Sequence, residues 1–306
     1  MDMLSVVVVT RNRPGPFERC LRSLVAQTLR PLEVVVIDNG SSIDYVSDTA
    51  QALAGISSET GIELLVVRND VNTGVSAARN QGARAASGRV VAWIDDDAWF
   101  DDRAALGKVM EAFGEPPSPV MVAYRVRERW LGSETVLVPY RRGAAPPGRP
   151  VATSFFLGSA CAVDRAFFLD RGGFDPQMRY QLEELEYSLR IAVFRPRILL
   201  VPEVEVIHQP ADPPVMRHRA FVRNQARSRL PIALRYLPRV MVPIHVTVWY
   251  TYLAVRAIRV GAIREYLYGV AEALSRVAAE LRMRRSCRLS TAAVRWLATL
   301  PNRLWY

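Results

Sequence analysis

The sequence predicts an α/β protein with a mostly parallel central sheet flanked by helices and a basic helical C-terminal extension. Three observations predict it. The β-branched runs LSVVVVT (4–10) and LEVVVIDNG (32–40) bracket a segment with helical spacing through Phe17, Leu21, Leu24 and Val25, which makes a βαβ unit and therefore parallel strands. Half of the 306 residues are apolar, enough for one large core or for a core with an appendage. The charge is segregated: residues 1–209 carry 23 basic and 26 acidic side chains, whereas residues 210–306 carry 17 and 4, so the net +10 belongs to the tail.

The elements follow in order. Residues 46–54 read as a weaker helix, and IELLVVRN (62–69) as a third strand. VSAARNQGARAA (75–86) reads as a helix whose start is marked by Asn72, Thr73 and Gly74, and RVVAWI (89–94) as a fourth strand. GEPPSP (114–119) and RRGAAPPGRP (141–150) are loop compositions enclosing strands near 120–127 and 135–139, and the second has the make-up of a mobile flap. FFLGSACAVDRAFFLDRGGFD (155–175) reads as strand, helix and glycine turn, YQLEELEYSLRIAVF (180–194) as a helix, and RILLVPEVEVIHQP (197–210) as a strand ending at His208. No internal repeat is evident.

From residue 215 onward the chain reads as helical and basic. Between Arg239 and Arg256 lie 16 uncharged residues, VMVPIHVTVWYTYLAV, fewer than the roughly 20 that cross a bilayer. With Pro243 and His245 inside it, this stretch reads as a buried hairpin or an interfacial helix. Residues 262–283 are amphipathic, with arginines opposite the apolar positions, and suit a membrane surface or an ordinary packing helix equally. Cys20, Cys161 and Cys287 are odd in number and far apart, which argues against a disulfide framework or zinc site and fits a reducing compartment. The first residues have an acid where a signal peptide wants a base, so a cytoplasmic location is expected. Lys108 is the single lysine; the arginine-rich composition fits a GC-rich genome as well as phosphate recognition.

The chemistry concentrates in VVAWIDDDAWF (90–100). Three adjacent aspartates at a strand end repel one another and resist desolvation, so they must be solvated or hold a cation. Asp38 ends the second strand, which puts both acidic groups at the edge where open α/β sheets bind ligands. The first strand runs into TRNRPGP rather than G-x-G-x-x-G, which argues against a dinucleotide-binding oxidoreductase.

SVVVVTRNRP, EVVVIDNGSS, NTGVSAARNQGARAASGRVVAWIDDDA and GGFDPQMRYQLEELEYSLR, in that order, resemble the blocks of the inverting family-2 glycosyltransferases. The resemblance covers about residues 4–210. It implies a GT-A fold, a Rossmann-like nucleotide-diphospho-sugar transferase architecture, as a catalytic domain over 1–212. Its nucleotide-sugar half would be about 1–100 and its acceptor half about 101–212, with 213–306 as the extension. It implies Mn2+ or Mg2+ as cofactor, with Asp97 holding the metal, Asp95 near the ribose, and Asp96 on the donor side or simply solvated. Asp38 resembles the nucleobase contact, with Thr10 and Arg13 beside it, although Asp-Asn-Gly also forms turns. Asn72, Gly74, Arg79 and Asn80 fall in a further donor-side block, or serve as a helix start and an internal bond.

LEELEYSLR resembles the acidic catalytic segment and lays Glu183, Glu184, Glu186 and Arg190 onto its positions. The general base falls on Glu184, where the family most often has Asp, with Glu183 as the alternative. Helical spacing groups Tyr180, Glu184 and Tyr187 in one stripe, so Glu184 is expected between two aromatic rings. His208 matches a histidine at the metal or diphosphate, or is structural. The resemblance implies hexosyl or deoxyhexosyl transfer, UDP or dTDP favoured. The acceptor would be a hydroxyl on a cell-envelope glycan or lipid-linked molecule, with the basic tail peripheral on the anionic inner face of the membrane. Alternatives are a soluble enzyme decorating a small-molecule secondary metabolite and, in another class, a non-enzymatic membrane or nucleic-acid binding module; no nucleic-acid partner is expected.

Overall fold

Continuous β-branched runs require a strand covered on both faces, and the first strands have that environment. In the computed structural model, which describes residues 2–50, 61–130, 133–139, 148–178, 180–210 and 214–300, strands β1 (Leu4–Thr10) and β2 (Leu32–Asn39) are buried almost throughout. β1 pairs in parallel with β2 and with β4 (Val90–Asp95), and β2 with β3 (Ile62–Asn69). The order β3-β2-β1-β4 reverses direction at β1, so the carboxyl ends of β1 and β4 form the switch-point crevice of an open α/β sheet. Register sets Thr10 opposite Asp38 and Val9 opposite Asp95. Helix α1 (Pro14–Val25) buries Phe17, Cys20, Leu21, Leu24 and Val25, and α2 (Val75–Ala85) packs on β1 and β2. Residues 45–50 are helical; the rest of the expected weak helix, and 141–147 of the expected flap, lie outside the described residues.

The second half of the sheet is mixed. After β5 (Ala98–Trp99) and α3 (Ala105–Gly114) come β6 (Met121–Trp130), β7 (Ser133–Leu137), β8 (Val151–Thr153), β9 (Cys161–Asp164), α4 (Arg165–Asp170) and, further on, β10 (Ile198–His208). The sheet continues from β4 through β9, β6 and β10 to β5. β6 and β10 are parallel, β9 runs antiparallel to both β4 and β6, and β5 antiparallel to β10. Trp93, Phe168 and Phe174 pack ring to ring, with Phe156 against Phe174.

The chain divides into two compact units, Met1–Arg179 with Pro196–Ala211, which carries the sheet, and Tyr180–Arg195 with Asp212–Tyr306. The second unit consists of α5 (Glu183–Ile191), α6 (Pro214–Tyr236), α7 (Met241–Arg259), α8 (Ile263–Ser275), α9 (Val277–Cys287) and α10 (Thr291–Thr299). Helix α6 packs against α7, α8 and α9. A Cβ on Gly269 would lie 2.5 Å from the Arg223 carbonyl oxygen, so α8 approaches α6 as closely as only glycine permits. Residues 241–259 form one helix rather than a buried hairpin, because Pro243 falls in its first turn where a missing N–H costs nothing. The expected amphipathic helix over 262–283 is two helices that meet at Arg276. Among the described residues no helix is long and apolar enough to cross a membrane.

Candidate active site

Two short pairings assemble the acidic edge of the sheet. β4 ends at Asp95, the chain turns through Asp96 and Asp97, and β5 pairs with the end of β10, setting Ala98 opposite His208. The Gln209 N–H donates to the Asp97 carbonyl at 3.0 Å and fixes the turn. His208 Nε2 then stands 3.1 Å from Asp97 Oδ1, and its Nδ1 lies 3.6 Å from Glu128, which the β6–β10 register sets opposite it. One ligand atom from each of Asp95, Asp97 and His208 falls within 4.8 Å of the others. Two carboxylate oxygens and an imidazole nitrogen fit Mn2+ well and Mg2+ acceptably. Burial pushes the His208 pKa down, but the hydrogen bond to Asp97 and the charges of Asp97, Asp95 and Glu128 outweigh it and raise the imidazole above its ordinary value. The field that holds a proton there suits a divalent cation equally.

Asp96 is not solvated. It is buried, accepts from Thr10 Oγ1 at 2.8 Å and from Arg13 Nη1 at 3.1 Å, and its pKa is pushed up to about 6 chiefly by that burial. Arg13 also reaches Asp97 Oδ2 at 3.4 Å, and Arg79 holds Asp95 through Nη2 at 2.7 Å. The middle aspartate is thus an anchor for the end of β1, while those on either side point to the cluster with His208.

Asp38 is fully buried at the same edge. Its Oδ1 accepts the Ser41 N–H at 3.0 Å; Oδ2 has Arg68 Nε at 3.6 Å and, among the described residues, no hydrogen bond. A buried carboxylate oxygen with an ion pair but no hydrogen bond, in a sheet-edge crevice, has acceptor capacity left for a ligand. Asn72 Oδ1 accepts from Asn39 Nδ2 at 3.1 Å and from the Gly74 N–H at 2.9 Å, and Gly74 precedes α2. Asn72 and Gly74 therefore shape the start of α2. Asn80 donates to the Phe174 carbonyl and accepts its N–H, both at 2.8 Å, clasping a turn where a Cβ on Gly173 would lie 2.5 Å from Asn80 Oδ1. Its bond is internal.

The acidic segment belongs to the second unit. The helix expected from residue 180 begins at Glu183, because Gln181 and Leu182 have φ of 66° and 67°. Tyr180 is consequently off the helix, and Tyr187 is fully buried, so the expected aromatic stripe around Glu184 does not form. Two successive non-glycine residues in the left-handed region are strained, and such strain collects where geometry is functional. It places Glu183 and Glu184 on the first turn, with Glu183 buried and Glu184 half-buried. Glu186 is 1% exposed and accepts from Tyr236 Oη, from Arg190 Nε at 2.9 Å and from Arg190 Nη2 at 3.0 Å. It is a structural anchor.

The sequence model of the glycosyl transferase family 2 matches residues 5–168, more than half of the chain. The chain belongs to glycosyl transferase family 2. A relative from Haloferax volcanii, the glucosyl-dolichyl phosphate glucuronosyltransferase, is 30% identical over 184 residues, 56% of this chain and 56% of that protein. The chain thus matches little more than half the length of that relative. Among solved structures, the mannosyltransferase PcManGT from Pyrobaculum calidifontis in complex with GDP-Man and Mn2+ aligns with a TM-score of 0.60 at 20% identity, over 96% of this chain and 83% of that one. GalNAc-T7 with UDP, GalNAc and Mn2+ aligns with a TM-score of 0.58 at 16% identity, over 92% of this chain and 58% of that one. These likenesses establish the GT-A fold.

Within each unit, sequence reasoning missed side chains that hold the candidate residues in place. Tyr45 Oη lies 2.7 Å from Thr10 Oγ1 and accepts the Arg13 N–H at 3.2 Å. Glu128 and Arg68 flank His208 and Asp38. Tyr236 caps Glu186 from 50 residues away. None lies in a motif; of the partners of Glu186, only Arg190, at i,i+4 spacing, was open to reading.

Proposed function

We propose that this family-2 chain is an inverting hexosyl or deoxyhexosyl transferase. It moves a sugar from a nucleoside-diphosphate donor to a hydroxyl of a cell-envelope or lipid-linked acceptor, at the inner face of the cell membrane. The observation that carries the reading is the cluster of Asp95, Asp97 and His208 at the carboxyl edge of the sheet, beside the Asp38 oxygen with acceptor capacity left. Asp38 Oδ2 accepts from the nucleobase, and one carboxylate oxygen without a hydrogen bond among the described residues matches the single imide N–H of UDP or dTDP. Thr10 and Arg13 keep that edge in place by holding Asp96. A divalent cation on Asp95, Asp97 and His208, when bound, supplies the positive charge that a departing diphosphate needs.

Glu184 takes the proton of the attacking acceptor hydroxyl, and Glu183 sets the local field beside it. Because the leaving group is a diphosphate rather than an alcohol, no second acid is required, unlike the paired carboxylates of glycosidases. The Haloferax relative, whose name specifies a dolichyl phosphate-linked glucose, supports a lipid-linked acceptor. The test is proton NMR of the anomeric signal after incubation of the chain with a panel of nucleotide sugars, Mn2+ and lipid-linked or glycan acceptors. A product whose anomeric configuration is opposite to the donor's supports the reading; retained configuration contradicts it.

A further inference from the structure

Helix α7 turns an uncharged face to solvent along most of its length. Val240, just before it, is 79% exposed and Ile244 and Ile258 are 67% exposed; Val248, Tyr252 and Val255 complete a stripe within about 120° of the helix circumference. Leu253 and Ala257 on the opposite face are buried, as is His245 at the edge of the stripe. A helix that only packs on its own protein carries charge on its outer face. Here no charged residue falls between Arg239 and Arg256, yet α7 is not long and apolar enough to span a bilayer. The face is neither that of a water-bathed helix nor that of a membrane span.

Charge decides what covers it. Residues 213–264 contain ten arginines and no Asp or Glu. Exposed Arg239 stands at one end of the stripe, and Arg256, exposed Arg259 and exposed Arg264 at the other. Most nearby acids are committed: Glu272 pairs with Arg223 and Arg227, and Glu280 with Arg235 and Arg276, while Glu265 adjoins Arg264 and leaves the arginines of the stripe in excess. A second copy of the chain laid on this stripe brings arginine against arginine in either direction, with Glu265 the one acid set against Arg239, Arg256, Arg259 and Arg264, so self-association is short of counter-charge. Anionic lipid phosphates supply one.

We propose that α7 is the membrane-docking element of the chain. It lies in the plane of an anionic bilayer with the Val240–Ile258 stripe at the headgroup boundary and the flanking arginines on lipid phosphates. Tyr252, in edge contact with Trp249 at 5.7 Å, suits that boundary. Exposed Ile263 and Leu267 continue the apolar surface onto α8. This deepens the membrane location proposed above and rests on it, but not on the transfer chemistry.

The test is flotation of the full chain with vesicles of phosphatidylcholine alone or mixed with phosphatidylglycerol. The wild type should float with the mixed vesicles only, and salt should weaken its binding. Ile244→Glu with Val248→Glu should leave the protein at the bottom, with its circular dichroism melt unchanged. Arg239→Gln with Arg259→Gln should lower partitioning about fivefold per arginine. Failure of the wild type to float, wild-type flotation of either double variant, or a light-scattering dimer that the glutamates dissociate would each overturn the proposal. A chain that floats but turns over no nucleotide sugar retains this surface and loses only the transfer reading.

Discussion

Asp38 Oδ2 is completely buried and ion-paired with Arg68 but lacks a hydrogen-bond donor among the described residues, and the proposed nucleobase contact would supply one. Asp38→Ala should therefore weaken UDP or dTDP binding by about 1.5–3 kcal/mol, the worth of a hydrogen bond to a charged group. Mn2+ binding should be unchanged; equal nucleotide affinity by calorimetry would contradict the role. His208 carries a pH signature. Its folded pKa lies above the ordinary 6.5, so its contribution to stability is complete below that value and is lost as pH rises through the raised one. A cation needs the ring's lone pair and so expels the proton. Near neutral pH the heat of Mn2+ binding should differ between Tris and PIPES, whose ionisation enthalpies differ, and His208→Gln should abolish the difference. Identical wild-type heats would show that no proton leaves.

At the scale of elements, α5 is decided by its first turn and by its anchor. Glu184 is the half-buried acid beside buried Glu183, and the base acts on the acceptor proton in the transition state. Glu184→Gln should abolish transfer with donor and metal affinity nearly unchanged, and Glu183→Gln should be milder. A dead Glu183→Gln beside an active Glu184→Gln would move the base by one residue. The anchor is a buried network: Arg235 Nε donates to Glu280 at 2.6 Å and Nη1 lies 3.9 Å from Glu186. Arg235→Met leaves Glu280 short of a partner and should cost about 3–5 kcal/mol in chemical denaturation, and adding Glu280→Leu should recover much of it. No recovery in the double variant would argue against that pairing.

What the sequence disclosed follows the same division. The strands β1 to β4 were legible because β-branched runs leave few other options, and the aspartates because three like charges on a strand end demand an explanation. The juxtaposition of His208 with Asp97 was not legible as geometry, since it depends on a two-residue strand too short to show a period. The start of α5 was missed because Gln181 and Leu182 adopt left-handed backbone without being glycine, and burial of Asp96 because no local pattern turns Thr10 and Arg13 toward it.

On the scale of the whole molecule, the segregated charge has a structural counterpart. The sheet unit carries most of the acids, Asp95 and Asp97 among them at its edge, and the helical unit carries the net positive charge, 19 arginines against seven acids, and the exposed face of α7. The central claim is that the acidic edge binds a nucleoside diphosphate through a divalent cation, and titration calorimetry of UDP and dTDP into the full chain tests it most directly. The account predicts that one of them binds with Mn2+ present, that EDTA removes the binding, and that Asp97→Asn, which keeps the shape but loses the charge, removes it as well. Binding that is indifferent to Mn2+ and equal in wild type and Asp97→Asn would contradict it.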